Sequence, residues 1–136
     1  FCRNFDKLSD AVKTRLTVEN DDKSSLYDTQ ELYDMIYKRI GTPIVFDYHH
    51  HECHPGKLHR AEALQLAVST WHDIIPVVHY SESRAKEQLN ESIRPQAHSD
   101  YIRKPINTYG IQVHCMVEAK HKELAVSEWR KKFQIL

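Results

Sequence analysis

Residues 43–47 read PIVFD and residues 48–54 read YHHHECH, so an apolar run ends abruptly in an acid followed closely by three consecutive imidazoles. A strand with one wet face alternates apolar and polar side chains. Ile44, Val45 and Phe46 do not alternate, which is the pattern of a strand covered on both faces, as in parallel sheets flanked by helices. Working outward, residues 28–40 carry Leu32, Met35, Ile36 and Ile40 at helical spacing, with Gly41 as a stop ahead of Pro43. Upstream, residues 8–16 read as the end of a helix running into a short β-prone stretch, 15–19, that stops at Asn20, Asp21 and Asp22. Downstream, residues 55–69 place Leu58, Ala61, Leu64, Leu66 and Val68 in a helix. A third apolar run (IIPVVH, 74–79) and a fourth (VHCMVE, 113–118) follow, and residues 123–133 close the chain as a helix. Four short strands alternating with helices predict βα units in one parallel sheet. The stretch between His79 and Asn107 is polar and irregular, and connections of that length within compact domains are often functional.

The 136 residues, 40% hydrophobic and 28% charged, suit one ordinary globular domain. No run of about 18 apolar residues is present, and residues 1–6 have neither an initiator Met nor the apolar stretch of a signal peptide. The expectation is an intracellular chain that is a piece of something longer, with no membrane and no obligate protein partner. Lys and Arg balance Asp and Glu at 19 each, so net charge neither supports nor excludes nucleic acid. Cys2, Cys53 and Cys115 are scattered without a CxxC spacing and read as reduced thiols. Histidine is the outlier: eight of ten lie between His49 and His98, a concentration that needs a chemical explanation.

Each apolar run ends in a residue able to bind metal: Glu19 after RLTV, Asp47 after PIVF, His79 after IIPVV and Glu118 after VHCMV. In a βα barrel all strands point one way, so these four side chains would gather at the C-terminal rim, where such folds build active sites. Crowded carboxylates cost repulsion and desolvation unless cations neutralise them. Divalent metal is the economical resolution. His50, three residues beyond Asp47, and His98, in the long polar stretch, add nitrogen donors, and the mixed set suits Mn²⁺, Zn²⁺ or Fe²⁺ better than Ca²⁺. Singly, each signal is ordinary, since a strand-end acid is usually a helix cap and a histidine tract can be an adventitious chelator. Four polar strand ends in succession, with a histidine cluster at one, are much harder to produce by accident. Cys53 beside His54 makes no zinc knuckle, because no CxxC or HxxxH partner lies at a usable distance. His59, His72, His114 and His121 read as structural or surface residues.

The blocks LTVENDDK (16–23), GTPIVFDYHHHECH (41–54), VVHYSES (77–83), HSDYI (98–102) and MVEAKHKELA (116–125) resemble, in order and spacing, those of the UV-damage endonuclease family. The resemblance implies a TIM barrel related to endonuclease IV, of which residues 1–136 would be the C-terminal half, roughly the last four βα units. It also implies a trinuclear metal site, with manganese expected and zinc the alternative, and nicking of double-stranded DNA immediately 5′ of pyrimidine dimers. Carried over position by position, it assigns metal ligation to Glu19, Asp47, His50, His79, His98 and Glu118, choosing His50 from the three adjacent histidines. Some members carry a modified, metal-bridging lysine two residues before the HYS histidine, where this chain has Val77. The missing N-terminal half of the barrel would supply two further histidines and the residues that probe the damaged duplex.

On this reading Glu19 and Glu118 are the catalytic carboxylates, with Glu19 bridging two ions and His98 serving a more exposed one. Arg84, Lys86, Lys120 and Lys122 are candidates to neutralise DNA phosphates. Lys120 is the best of them, and Lys122 reads as a solvated helix face. Tyr80 and Tyr101 are candidates to pack against sugar or base. Two other readings compete: a sugar isomerase or epimerase of the xylose isomerase type, which places similar ligands on successive barrel strands, and an inactive fragment. A half barrel on its own would expose two sheet edges and the apolar inner face of its strands.

Overall fold

A computed structural model of the chain describes residues 1–134. Two short helices, α1 (Cys2–Phe5) and α2 (Asp10–Lys13), precede strand β1 (Val18–Glu19). The helical segment α3 (Thr29–Leu32) and α4 (Lys38–Ile40), joined by a π-helical turn at Tyr33–Tyr37, leads to β2 (Ile44–Asp47) and α5 (Tyr48–Cys53). Then come α6 (Arg60–Val68), a 3₁₀ turn (Ser69–Trp71), β3 (Val77–Tyr80), α7 (Arg84–Glu87), β4 (His114–Val117) and α8 (Lys122–Phe133). The four strands form one sheet in the order β1-β2-β3-β4, with every pairing parallel. This is an α/β partial barrel, as the alternation of apolar runs and helices predicts.

Strand alternation sorts the side chains. Ile44, Phe46, Val78 and Tyr80 join Leu32, Ile36, Ala63, Leu64 and Ala67 in the core between sheet and helices. Ala63 and Ala67 let the α6 backbone lie close to the sheet, and the end of that helix closes the start of β2. Thr70 Oγ1 accepts the Ile44 N–H at 2.9 Å, and the Trp71 indole donates to the Ile44 carbonyl at 2.7 Å. Val45, Val77, His79 and Met116 line the other, concave face, where Met116 is 54% exposed. Cys2, Cys53 and Cys115 are free thiols. No helix among the described residues is long and apolar enough to cross a membrane.

Several element bounds differ from expectation, each for a local reason. The β-prone stretch 15–19 pairs only at Val18–Glu19, because β2 begins at Ile44 and only the Pro43 carbonyl, which takes the Val18 N–H, extends the ladder below it. The apolar run 74–79 becomes a strand only from Val77, since Pro76 has no N–H, and Ile74 is left 65% exposed. The helix expected from residue 55 starts at Arg60, where His59 and Glu62 form its cap. In the expected 28–40 helix, the capping box of Asp28 and Glu31 sets the start and left-handed Gly41 the stop, but the π turn shifts the helical phase. Met35, counted on the buried stripe, is 41% exposed. The long polar connection is closed on itself by an antiparallel bridge between Ser83 and His98, and contains α7.

Candidate metal centre

Glu19 and Asp47 are the last residues of β1 and β2, His79 lies one residue before the end of β3, and Glu118 follows β4. Glu118 continues the ladder, its N–H donating to the Tyr80 carbonyl at 2.9 Å. The four side chains converge at one end of the concave face. His79 Nδ1 lies 3.2 Å from Glu19 Oε2 and 3.6 Å from Glu118 Oε1. His50 Nδ1 lies 3.2 Å from Glu19 Oε1, and His98 Nδ1 lies 3.7 Å from Glu118 Oε2. The six predicted ligands thus form a chain of contacts, from His50 through Glu19, His79 and Glu118 to His98, with Asp47 beneath.

Asp47 is fully buried and caps α5, its Oδ1 accepting the His50 N–H at 2.7 Å. That cap fixes the rotation of α5, and a rotation of about 100° per residue then separates the three histidines. His50 turns to Glu19, and His49, 1% exposed, lies edge-to-face with His98 at 5.7 Å between centroids. His51 packs on Phe46 at 5.3 Å. Asn20, which the sequence presents only as part of a polar boundary, is 1% exposed and organises the same corner. Its side chain bonds both the N–H and the carbonyl of Asp47, and its own carbonyl lies 2.8 Å from His50 Nδ1. The ENDD run was its only signal.

The electrostatics follow from this crowding. Burial pushes the Asp47 carboxyl up to about 6, opposed by the His50 amide and charge. Burial also opposes ionisation of Glu19, but the close approach and charge of His50 and His79 prevail and hold it at about 2. For His50, burial works against the proton, yet Glu19, Asp47 and the Asn20 carbonyl raise it to about 9. His79 is raised chiefly by its contact with Glu19. Burial lowers His98.

A divalent cation fits this donor set. Ligand atoms of Glu19, Asp47 and His50 lie within 4.8 Å of one another, as do those of Asp47, His79 and Glu118. Asp47 Oδ2 and His79 Nδ1 are buried without a hydrogen-bond partner, Nδ1 being off line from Glu19 despite its 3.2 Å approach. Unpartnered buried polar atoms are costly unless something coordinates them. Val77 lies on the same concave face as His79 and offers no donor there.

The residues expected to meet DNA separate. Lys120 and Arg84 line one hollow beside His98. Tyr80, on the strand face opposite His79, is 8% exposed and packs at 5.4 Å on Tyr48, so it lies in the core and away from the cluster. Lys86 pairs with Glu52, and Tyr101 stacks on His121 at 4.5 Å. His72 contacts the Tyr37 hydroxyl at 3.2 Å, and His114 is exposed on β4.

The family model described as UV-endonuclease UvdE matches residues 1–135. The chain is 34% identical to the UV-damage endonuclease of Schizosaccharomyces pombe, covering 99% of this chain and 23% of that protein. It is 33% identical to the UV DNA damage endonuclease of Bacillus cereus (strain Q1), covering 95% of this chain and 41% of that one. The crystal structure of SacUVDE superimposes with a TM-score of 0.78 at 27% identity, over 99% of this chain and 46% of that chain. The chain therefore spans less than half the length of each of these relatives.

Proposed function

This chain belongs to the UV-endonuclease UvdE family, and from that membership we propose that it forms the C-terminal half of a barrel nuclease that cuts damaged DNA. The substrate is double-stranded DNA carrying UV photoproducts, and the cut is hydrolysis of the phosphodiester immediately 5′ of the lesion. The observation that carries the reading is the convergence of Glu19, Asp47, His50, His79 and Glu118 at one end of the parallel sheet. A hollow lined by Lys23, Arg84, Arg94 and Lys120 beside that cluster suits a polyanion and not a neutral polyol, which favours a nuclease over a sugar isomerase.

Three divalent ions, manganese first and zinc second, are the proposed cofactors. When bound, they would supply an activated water and neutralise charge on the phosphoryl oxygens and on the leaving 3′ oxygen. Glu19, whose two oxygens face His50 and His79, is the proposed bridge. Asp47 with His50 would hold one ion, and His79 with Glu118 another. His98, arriving on a connection and meeting the carboxylates of the cluster at Glu118 Oε2, would serve the most exposed ion. Asn20 positions Asp47 and His50 without itself being a ligand.

Nicking of a UV-irradiated oligonucleotide by the full-length protein with added Mn²⁺ tests this, with unirradiated DNA and EDTA as controls. A metal-dependent cut just 5′ of the dimer is expected. Metal binding without any cut would instead indicate the isomerase chemistry or a degenerate nuclease.

A further inference from the structure

Four cations from four separate stretches of chain line a single hollow of ≈ 590 Å³. Lys23 comes from the segment after β1, Arg84 from the first turn of α7, Arg94 from the connection beyond it, and Lys120 from the segment after β4. Asp22 is the one acid in the lining. Among the described residues Lys23, Arg94 and Lys120 form no ion pair, and Arg84 reaches Asp100 only at 3.9 Å. The Arg84 Nε is buried without a hydrogen-bond partner. Cations held this close repel one another, and ordinary surface lysines and arginines relieve that with neighbouring carboxylates. Here the chain supplies that relief only in part, through Asp22 and the distant Asp100, against four cations.

The hollow adjoins the metal cluster through His98, which lines its wall and also reaches Glu118 Oε2 at 3.7 Å, so these cations stand next to the place where a reacting phosphate would lie. We propose that Lys23 and Arg94, together with Arg84 and Lys120, clamp the phosphodiester adjoining the one that is cut, and so set the register of the strand on the metal centre. The inference rests on the nuclease reading above. It adds Lys23 and Arg94 as substrate-positioning residues.

The test uses the full-length protein with Mn²⁺ and UV-damaged duplexes in which single phosphates near the lesion are replaced by neutral methylphosphonates. Binding and nicking are compared for the wild type, K23A and R94A across a range of salt. Each variant should bind about three- to tenfold more weakly, with the slope of log affinity against log salt shallower by about 0.9 for each phosphate that is no longer neutralised. One or two adjoining methylphosphonate positions that weaken the wild type should cost the variants little or nothing more. Wild-type affinity and salt slope in both variants would overturn the clamp. So would equal methylphosphonate costs at every position in variant and wild type. If the wild type nicks while either of those results holds, only the clamp falls. If the wild type neither binds nor nicks damaged duplex, the nuclease reading falls and the clamp with it.

Discussion

Asn20 grips the backbone of Asp47 from both sides: its amide donates to the Asp47 carbonyl at 3.0 Å, and its Oδ1 accepts the Asp47 N–H at 2.8 Å. The β1–β2 ladder ends at Glu19 opposite Val45, and the asparagine side chain does beyond that point what a longer strand would have done with its backbone. The carboxamide of Asn or Gln holds its donor and acceptor much as a peptide unit does, and so can replace one.

Replacing Asn20 with Ala leaves the buried N–H and carbonyl of Asp47 unpaired. Each orphaned group costs about 1–3 kcal/mol, so N20A should lose roughly 2–6 kcal/mol in urea unfolding, and its metal affinity should fall because Asp47 and His50 lose their common anchor. Wild-type stability would remove Asn20 from this role.

Asp47 should destabilise the metal-free chain. Its folded carboxyl is raised from 3.8 to about 6, so it keeps its proton over a range where the unfolded chain has lost it. Stability from this group therefore falls as pH rises through that window and stays reduced above it, by about 3 kcal/mol. D47N, which keeps a capping oxygen for α5, should be more stable than the wild type at pH 8 without metal, yet bind metal poorly. Thermal unfolding with and without Mn²⁺ reads both effects.

Metal uptake should release protons. His50 is held at about 9 and His79 is also raised, so at neutral pH they must give up protons to become ligands. Apparent affinity for Mn²⁺ should climb as pH rises toward 9. In the metal-free chain the sign is the reverse: the His50 contribution to stability is complete below its ordinary 6.5 and is lost as pH rises through about 9. Calorimetric titration in buffers of different ionisation enthalpy counts the protons. An affinity that does not change with pH would exclude imidazole ligation.

E19Q and E118Q, tested in the full-length protein, should abolish nicking while circular dichroism stays unchanged, because both side chains lie at the open end of the cluster and outside the core. Nicking retained by either variant would take that carboxylate out of the mechanism.

Gly56 sits at φ +62, and a Cβ there would strike the Asp28 carboxylate that caps α3. G56A should combine backbone strain with a weakened cap, costing about 2–3 kcal/mol. A stability change below about 0.5 kcal/mol would show that the cap can move aside.

Much of this arrangement could be read along the chain because it is local. Short β-prone runs ending in Glu19, Asp47, His79 and Glu118 mark the four strands, and a period of two then sends Asp47 and His79 to the face opposite Phe46 and Tyr80. That same period carries Tyr80 into the core, a consequence available in the sequence but masked by its place beside His79. What only the tertiary structure decided are the matters of rotation and of distant approach. Nothing in HHH tells one imidazole from the next until the Asp47 cap fixes how α5 turns, and Asn20 looks like any loop residue until residue 47 is brought beside it. Lys23 and Arg94, 71 positions apart, share a hollow only because the fold brings the connection after β3 beside the segment after β1. Periodicity is a property of neighbours in sequence, whereas a shared site depends on residues whose separation along the chain carries no information about their separation in space.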